Sequence, residues 1–320
     1  MKNKIDRPFM LIIYGPTGVG KTDMALAIAE RMPSEIINMD VGQFYTPLSI
    51  GTAKPDWKHS PVPHHLFDII DTPANYTVSE YRVLLYKTVQ EVIQRGNLPI
   101  LVGGSGFYLH ALLFPPQVAL EDKDISHVYP KGTNLWQELY VIDPQRALHI
   151  DKADEYRIKR ALSIWHATGK LPSSYAPVYK PEADYMLLFV ERDRQELKNR
   201  INQRVLEMFD CGWIQEAENL INTPWKDFIQ NKNLIGYSEI FDYVSGEKTA
   251  TTFSNMVDTI RARTRQYAKR QFTFWRKLER EIKKEKQYTS TSIGCLEVVN
   301  LTNVKIHLYL NELLKRLLLR

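Results

Sequence analysis

The 320-residue sequence is poor in cysteine: it contains only Cys211 and Cys295, which are far apart and form no C-x-x-C pair. A disulfide scaffold and a cysteine-based zinc site are therefore excluded, and a reducing compartment is indicated. No stretch approaches the roughly 18 apolar residues of a membrane span, and residues 1–8 lack the apolar core of a secretory signal. We expect a soluble, cytoplasmic protein that does not attach to a membrane.

Internal repeats and low-complexity tracts are also missing from the sequence. With 44% hydrophobic and 25% charged residues, the composition is that of a globular protein and not of a disordered or collagenous one. A length of 320 residues permits roughly two domains, at about 100–200 residues each. Such a chain can bury a core large enough to fold without disulfides.

Acidic residues are scarce in one segment where basic residues are concentrated. Between Arg261 and Lys286 there are eleven Lys or Arg and three Asp or Glu, a local balance of +8, whereas the whole chain carries +5. Residues 261–277 contain seven Lys or Arg, no carboxylate, and the aromatic residues Tyr267, Phe272, Phe274 and Trp275. The segment predicts an acidic partner, and nucleic acid fits best, through phosphate contacts and base stacking. About half of the aromatic residues are expected to face the core instead.

Short apolar runs alternate with helical patterns along the first part of the chain, which predicts a parallel sheet with helices on both faces. The predicted strands are Phe9–Tyr14, Glu35–Met39, Leu98–Val102 and Tyr185–Val190. The predicted helices are 23–32, 78–95, 105–113 and 152–168, and helices are expected to dominate from residue 193 onward. Leucines at helical spacing in 304–320 indicate core packing or a partner helix rather than membrane attachment.

A glycine-rich motif follows the first strand and precedes the first helix. Its residues are Gly15, Pro16, Thr17, Gly18, Val19, Gly20, Lys21 and Thr22, in the pattern G-x-x-x-x-G-K-[ST]. In this pattern the backbone N–H groups surround a diphosphate, Lys21 supplies a point charge, and the Thr22 hydroxyl is placed to bind Mg²⁺. The motif predicts a diphosphate ligand but leaves open whether the rest of the ligand is a nucleotide.

We therefore predict an α/β fold with a P-loop NTPase-like parallel sheet. The Pro115–Pro116 pair interrupts the alternation of strands and helices. Residues 1–115 and 182–320 are assigned to the P-loop core with its C-terminal helices, and residues 116–181 to a mainly helical insertion domain.

Two polar segments follow other predicted strands at the carboxyl edge of the sheet, where ligands bind in open α/β folds. Asp40 could act as a general base or hold magnesium-bound water, and a structural cap is equally compatible with its position. The nearby Gln43 could pair with a purine edge through its amide. Ser105, in the run Gly103–Gly106, could serve the reaction with its hydroxyl or simply cap a helix.

Arginines recur at helical spacing in two places. Arg157 and Arg160 are three residues apart on one predicted helix, and Arg200 and Arg204 are four apart on another. An ordinary ion pair between Glu196 and Arg200 is the plain alternative. A diphosphate leaving group nevertheless needs more than one lysine and one metal ion, so some arginines should converge on it.

Together these segments resemble one family, the tRNA dimethylallyltransferases (tRNA isopentenyltransferases) of bacterial type. The resemblance spans residues 9–276. It rests on the segments GPTGVGKT at Gly15, DVGQFY at Asp40, IGTAKP at Ile50, VPHHLFDI at Val62, LPILVGGSGFYL at Leu98, DPQRA at Asp143, DEYRIKRAL at Asp154, RINQRVLEMFDCGWIQEAENL at Arg200, IGYSE at Ile235 and TRQYAKRQFTFWR at Thr264.

The resemblance implies transfer of a dimethylallyl group from dimethylallyl diphosphate to N6 of the adenosine 3′ of the anticodon in tRNA. The products would be N6-isopentenyladenosine and diphosphate, and Mg²⁺ would be the cofactor. By resemblance Asp40 is the base, Ser105 lies in the reaction channel, and Arg204 contacts the diphosphate. The remaining diphosphate-binding residues would be Gly15, Thr17, Gly18, Val19, Gly20, Lys21, Thr22 and Arg200. The residues implied to bind the anticodon stem-loop are Asp40, Val41, Gly42, Gln43, Ser105, Tyr156, Arg157, Arg160, Lys269, Arg270 and Arg276.

The sequence departs from the family pattern at three places. Val41 stands where the family usually has serine, Ser105 stands where it has threonine, and the insertion between Pro116 and Asp143 is shortened. Three other functions remain open on the sequence alone: prenyl transfer to free adenylate, a P-loop small-molecule kinase, and a nucleotide-dependent RNA-binding module without catalysis. We expect a monomer.

Overall fold

The computed structural model describes residues 8–116, 125, 128–175, 177–288 and 294–318. Two compact units divide the chain: the first comprises Met1–Leu112 and Pro181–Arg320, and the second comprises Leu113–Lys180.

The first unit contains a six-stranded, entirely parallel sheet. Its strands are β1 (Phe9–Tyr14), β2 (Ser34–Asn38), β3 (His64–His65), β4 (Leu98–Gly103), β5 (Asp184–Glu191) and β6 (Gly294–Asn300). The strand order is β3-β2-β4-β1-β5-β6, so the first strand lies near the centre. β1 pairs with β4 from Leu11↔Ile100 and with β5 from Phe9↔Asp184. This order brings the carboxyl ends of β1, β2 and β4 to one edge of the sheet.

Twelve helices are found among the described residues. They are α1 (Lys21–Ala29), α2 (Val78–Gln94), α3 (Gly106–Leu113), α4 (Leu135–Ile142), α5 (Pro144–Ala147), α6 (Glu155–Thr168), α7 (Arg194–Asp210), α8 (Trp213–Glu218), α9 (Trp225–Lys232), α10 (Tyr237–Ser245), α11 (Ala250–Tyr288) and α12 (Ile306–Leu318). None of the helices in the described part of the chain combines the length and the apolar character that crossing a bilayer requires.

The central strands are buried on both faces because helices cover the sheet on both sides. Residues 10–14 of β1 and 185–190 of β5 are buried without interruption, as their continuous apolar runs predict. A second apolar cluster joins α8, α9, α10 and the first turns of α11, around Trp213, Trp225 and Phe241. The predicted parallel sheet with helices is confirmed, and the predicted strands agree with β1, β2, β4 and β5 to within one residue at each end.

The C-terminal region differs from the prediction, because one more strand follows the helices. β6 extends the sheet beside β5, with residues paired from Tyr185↔Gly294 to Glu191↔Asn300. As an edge strand β6 is only partly buried, so its sequence lacks the continuous apolar run that revealed the central strands. The core packing expected of 304–320 is found for one face of α12, on which Leu310, Leu313 and Leu317 are buried.

The second unit has its own small core, formed by α4, α5 and α6 around Leu139, Ile158 and Leu162. The helix predicted over 152–168 begins three residues later, at Glu155, because Asp154 caps it: its side chain accepts a hydrogen bond from the Arg157 backbone N–H. Gly169, with φ 66°, ends the helix in the left-handed conformation. The helical character predicted for this region agrees with these elements.

Candidate active site

The glycine loop joins β1 to α1 at the carboxyl edge of the sheet. Gly18 and Gly20 have φ angles of 79° and 102°, in the left-handed region that side chains with a Cβ rarely adopt. At Gly15 a Cβ would lie 2.3 Å from the Val190 carbonyl oxygen, so the loop can pass β5 only with glycine there. The loop therefore has the geometry that its sequence predicts, with the first turn of α1 beginning directly after Gly20.

Lys21 points back into its own loop, where Nζ donates a hydrogen bond to the Pro16 carbonyl oxygen at 3.0 Å. Enclosure by protein atoms lowers the pKa of Lys21 to about 8. The negative charge of Asp40 opposes this shift, and the positive charge of Arg204 adds to it. A cation destabilised in this way gains from an anionic ligand, because the ligand supplies the charge that the protein lacks there.

Asp40 lies two residues after the end of β2 and is held in place by the loop that follows β4. Its Oδ1 accepts a hydrogen bond from the Ser105 hydroxyl at 3.1 Å, and its Oδ2 accepts one from the Gly104 backbone N–H at 3.3 Å. Ser105 Oγ in turn accepts a hydrogen bond from the Val41 backbone N–H at 3.2 Å. Val41, which departs from the family pattern, therefore contacts Ser105 through its backbone and not through its side chain.

Three arginines approach the glycine loop, Arg192 from the link between β5 and α7, and Arg200 and Arg204 from α7. Arg200 Nε donates to the Gly18 carbonyl oxygen at 2.9 Å, and Arg192 Nε donates to that of Val19 at 2.8 Å. Arg204 is enclosed, and desolvation lowers its pKa. Glu196, which the sequence offered as a partner for Arg200, forms its ion pair with Arg192. Arg200 therefore donates to the glycine loop instead of pairing with Glu196 on its own helix.

A cavity of about 540 Å³ lies above these groups, and a second of about 340 Å³ adjoins it. The first is lined by three cations, Lys21, Arg200 and Arg204, and by three carboxylates, Asp23, Asp40 and Glu207. The second is more apolar, and its lining residues include Ile201, Val205, Met208, Trp213, Leu234 and Ile235. Thr17, Asp40, Thr52, Ala53 and Arg204 line both cavities. A charged compartment and an apolar one therefore meet at Asp40.

The loop of residues 49–53 forms one wall of both cavities and is fixed by the carboxylate of Glu216. This carboxylate accepts hydrogen bonds from the backbone N–H groups of three successive residues, 49 to 51, at 2.7–3.0 Å, and from the Tyr237 hydroxyl at 2.7 Å. Gln43 Nε2 donates to the carbonyl oxygens of Thr52 and Ala53, each at 3.2 Å. Both hydrogens of the Gln43 amide are thus engaged within the protein, and only its oxygen is left to pair with a purine.

The basic segment 261–277 lies within α11, and its cations divide into two groups. Arg261 and Arg265 donate to Asn202 on α7, and Arg263 pairs with Glu239. The other four cations, Lys269, Arg270, Arg276 and Lys277, are exposed. The residues predicted to contact tRNA on this helix, Lys269, Arg270 and Arg276, all belong to the exposed group.

The aromatic residues of the same segment do not support base stacking as the sequence predicted it. Trp275 is 3% exposed and stacks on Phe189 of β5, with ring centroids 4.5 Å apart. Phe272 packs edge-on against the same ring, and Phe274 contacts His110. Tyr267 lines the apolar cavity. More aromatic side chains are engaged in packing than expected, because α11 lies against the sheet and α3.

In the second unit, the predicted tRNA-binding residues lie on the first turns of α6. Tyr156 and Arg157 are exposed, and Arg160 is half-buried. The Arg157 guanidinium pairs with Asp154 at 2.8 Å. The helix therefore presents an aromatic residue and a cation to solvent on its N-terminal turns.

A magnesium ion fits the groups of the first cavity. Thr22, Asp23 and Asp40 line the cavity and supply the oxygen donors that Mg²⁺ prefers. Among the residues that the structure describes, no cluster of three or more His, Cys, Asp or Glu forms a complete metal site. Such a donor set suits an ion that is held mainly by substrate phosphates and water, and only partly by protein.

Sequence reasoning missed Gln271, Arg192 and Glu216. Gln271 is the one detectable from the sequence, because it interrupts an apolar stripe on α11. The stripe has helical spacing and comprises Ala268, Gln271, Trp275, Leu278 and Ile282, all of them buried. Arg192 and Glu216 sit in ordinary-looking charged stretches and become recognisable only when the chain folds.

The parallel sheet, the glycine loop and the cations around it define a P-loop NTPase-like protein with a charged cavity beside the glycine loop, at the carboxyl edge of the sheet. Residues 43–278 match the family model described as IPP transferase. The chain therefore belongs to the IPP transferase family, and the resemblance noted in the sequence is confirmed.

Relatives with similar sequences support this assignment. A tRNA dimethylallyltransferase of Petrotoga mobilis is 39% identical over 279 residues, covering 84% of this chain and 91% of its own. One of Anoxybacillus flavithermus is 35% identical, covering 83% and 87%.

Two solved structures extend the comparison to the fold. A crystal structure of a tRNA isopentenylpyrophosphate transferase from Bacillus halodurans is 30% identical, with a TM-score of 0.63 and 97% of each chain covered. A eukaryotic dimethylallyltransferase acting on tRNA superposes with a TM-score of 0.74 at 26% identity, covering 92% of this chain and 75% of its own.

Proposed function

We propose that this protein is a tRNA dimethylallyltransferase. It transfers the dimethylallyl group of dimethylallyl diphosphate to N6 of the adenosine 3′ of the anticodon and releases diphosphate. The observation that carries the proposal is the placement of Asp40: its carboxylate lies where the charged cavity beside the glycine loop meets a more apolar one. This arrangement suits a donor with a charged leaving group and an apolar chain.

The cationic groups act on the leaving group. As the bond between the donor carbon and the diphosphate oxygen breaks, negative charge grows on the diphosphate. Lys21, Arg204 and the backbone N–H groups of the glycine loop are placed to stabilise that charge. Thr22 would help to hold Mg²⁺ in this cavity, where the ion would neutralise further charge.

The carboxylate of Asp40 acts on the acceptor. The amino group of adenine is a weak nucleophile because its lone pair is delocalised into the ring, so it needs a carbon with cationic character. When N6 bonds to that carbon, its proton becomes acidic and passes to Asp40. The hydrogen bonds from Ser105 and Gly104 fix the carboxylate for this step.

The acceptor must leave the stack of the anticodon loop to reach Asp40, which a single-stranded loop allows at low cost. The exposed cations of α11 and the first turns of α6 suit contact with RNA phosphates.

A cytoplasmic location and a monomeric state remain predictions, to be checked by cell fractionation and light scattering.

The test is mass spectrometry of tRNA after incubation with the protein, dimethylallyl diphosphate and Mg²⁺, with no ATP present. We expect one dimethylallyl group per acceptor tRNA, located at the adenosine 3′ of the anticodon. Prenylation of free adenylate instead of tRNA would favour the adenylate transferase. A requirement for ATP with release of ADP would favour the kinase, and RNA binding without any product would favour the non-catalytic module.

A further inference from the structure

Gln271 of α11 connects the two loops that hold the reacting groups. Its side-chain Oε1 accepts a hydrogen bond from the Thr17 backbone N–H at 2.9 Å, and its Nε2 donates one to the Gly104 carbonyl oxygen at 2.8 Å. Thr17 belongs to the glycine loop, and Gly104 belongs to the loop that holds Asp40. A single amide therefore spans the donor side and the acceptor side of the site.

The position of Gln271 is tightly defined by its surroundings. The residue is 4% exposed, and its own carbonyl oxygen accepts a hydrogen bond from the Tyr14 hydroxyl at the end of β1. A Cβ at Gly104 would lie only 2.3 Å from Nε2, so the amide is in close contact with that loop. A buried amide with both ends paired is costly to disturb, because each end then loses its partner.

The same helix presents the exposed cations Lys269 and Arg270 directly before Gln271, and Arg276 one and a half turns after it. A helix is stiff, so a change in its position at these cations is passed to Gln271 and from there to both loops. Arg270 also borders the apolar cavity. One helix, α11, therefore carries both the exposed cations and the residue that joins the two loops.

We propose that Gln271 is a positioning residue that couples RNA binding on α11 to the geometry of the diphosphate site. RNA bound to the helix would hold the amide between Thr17 and Gly104, and so fix the glycine loop in the form that binds diphosphate. The proposal rests on the function proposed above and adds to it a dependence of one substrate site on the other. By linkage, diphosphate should tighten RNA binding by the same factor.

The test measures binding of inorganic diphosphate with Mg²⁺ by calorimetry, in the presence and absence of an anticodon stem-loop RNA. For the unmodified protein we expect the RNA to tighten diphosphate binding by about 5-fold or more. In Gln271→Met, which keeps the volume and removes both hydrogen bonds, this factor should fall to about 1, whereas the affinity for RNA alone changes less than about 3-fold. Gln94→Met is the matched control, because Gln94 is exposed at the end of α2, at the opposite edge of the sheet.

Gln271→Asn serves as the second variant, since it retains the polar amide but is one methylene too short to reach both loops. It should also lose the coupling, and thermal unfolding identifies which variants are folded at the assay temperature. Coupling that persists in a folded Gln271 variant, or that is absent from the unmodified protein, overturns the proposal. Either result is compatible with prenyl transfer to tRNA, because the proposed function is tested by mass spectrometry of the tRNA product and not by this coupling.

Discussion

Asp40 is the residue on which the proposed proton transfer depends, and its environment allows a clean substitution. In Asp40→Asn the amide oxygen can still accept from Ser105 or Gly104, so the loop keeps its shape while the base is lost. We expect the rate of prenyl transfer to fall by about 10²–10⁴-fold. Single-turnover assays give the rate, and filter binding of tRNA should show affinity within about 3-fold of the unmodified protein. Near-normal turnover would remove Asp40 from the role of base.

Lys21 makes a second prediction at the level of one residue. Its pKa is lowered to about 8, so its charge is lost as the pH rises through 8. A bound diphosphate favours the cation and raises that pKa, so a proton should be taken up on binding above pH 8. Diphosphate affinity should therefore weaken as the pH increases from 7.5 to 9.5, by up to about tenfold per pH unit above 8.

Calorimetry in buffers of different ionisation enthalpy measures the proton uptake. Lys21→Arg is the control: an arginine stays protonated throughout this range, so the uptake should disappear even if the affinity is reduced. Equal proton uptake in the arginine variant would show that another group titrates.

At the scale of elements, a buried carboxylate connects β2 with the end of α2. Glu35 is 2% exposed and accepts two hydrogen bonds from Arg95, each at 2.7 Å, and one from Asn97. The imidazole of His65 also pairs with this carboxylate. The hydrogen bonds from Arg95 are the main reason why the pKa of Glu35 falls to about 2. The ionised carboxylate therefore stabilises the folded state above pH 4.5, and this contribution is lost as the pH falls toward 2.

We predict that Glu35→Gln lowers the free energy of unfolding at pH 7 by about 1–2 kcal/mol. The figure is modest because Arg95 is half-exposed and solvent weakens its attraction for the carboxylate. Urea unfolding at pH 7 and at pH 3 is the measurement, and the difference between variant and unmodified protein should shrink at the lower pH. A difference that stays constant or grows with acid would contradict this account.

The elements also show how far the sequence predicts the fold. β1, β4 and β5 are covered on both faces, so each appears as a short apolar run with turn residues around it. β6 is an edge strand that is partly exposed along most of its length, and β3 is only two residues long, so neither has such a signature. Pairing with residues that are distant in the sequence decides whether β3 and β6 form. A window of neighbouring residues carries no information about that pairing.

The site was predictable to a similar extent. The glycine loop is read from contiguous residues, and Asp40 and Ser105 follow predicted strands, so the sequence places them at one edge of the sheet. The bond from Arg200 to Gly18 joins residues 182 positions apart, and that from Gln271 to Thr17 joins residues 254 positions apart. Such partners are fixed by tertiary packing, and the local pattern around Arg200 favoured an ordinary ion pair instead.

For the whole molecule, charge is distributed unevenly. The segment 261–286 carries +8, and the chain as a whole +5, so the rest of the protein is slightly negative. We expect the affinity for tRNA to fall steeply with added salt, because phosphate contacts release counterions. Arg276→Gln should weaken binding similarly for all RNAs and reduce the slope of log affinity against log salt by about 1.

Fluorescence anisotropy with the anticodon stem-loop, titrated at several salt concentrations, measures that slope. Arg31→Gln is the matched control, since Arg31 follows the last turn of α1 at the opposite edge of the sheet. A slope unchanged by Arg276→Gln would place RNA elsewhere than on the exposed face of α11.

The pairing of β5 with β6 has a consequence for biosynthesis. β5 is almost entirely apolar, and its outer edge is covered only by a strand made near the end of translation. A nascent chain that ends at a premature stop between residues 278 and 293 would carry every group proposed for the chemistry, yet would leave that edge open to pair with another chain. Late nonsense alleles should accordingly yield insoluble product, detected in the pellet fraction, rather than a soluble enzyme with reduced turnover.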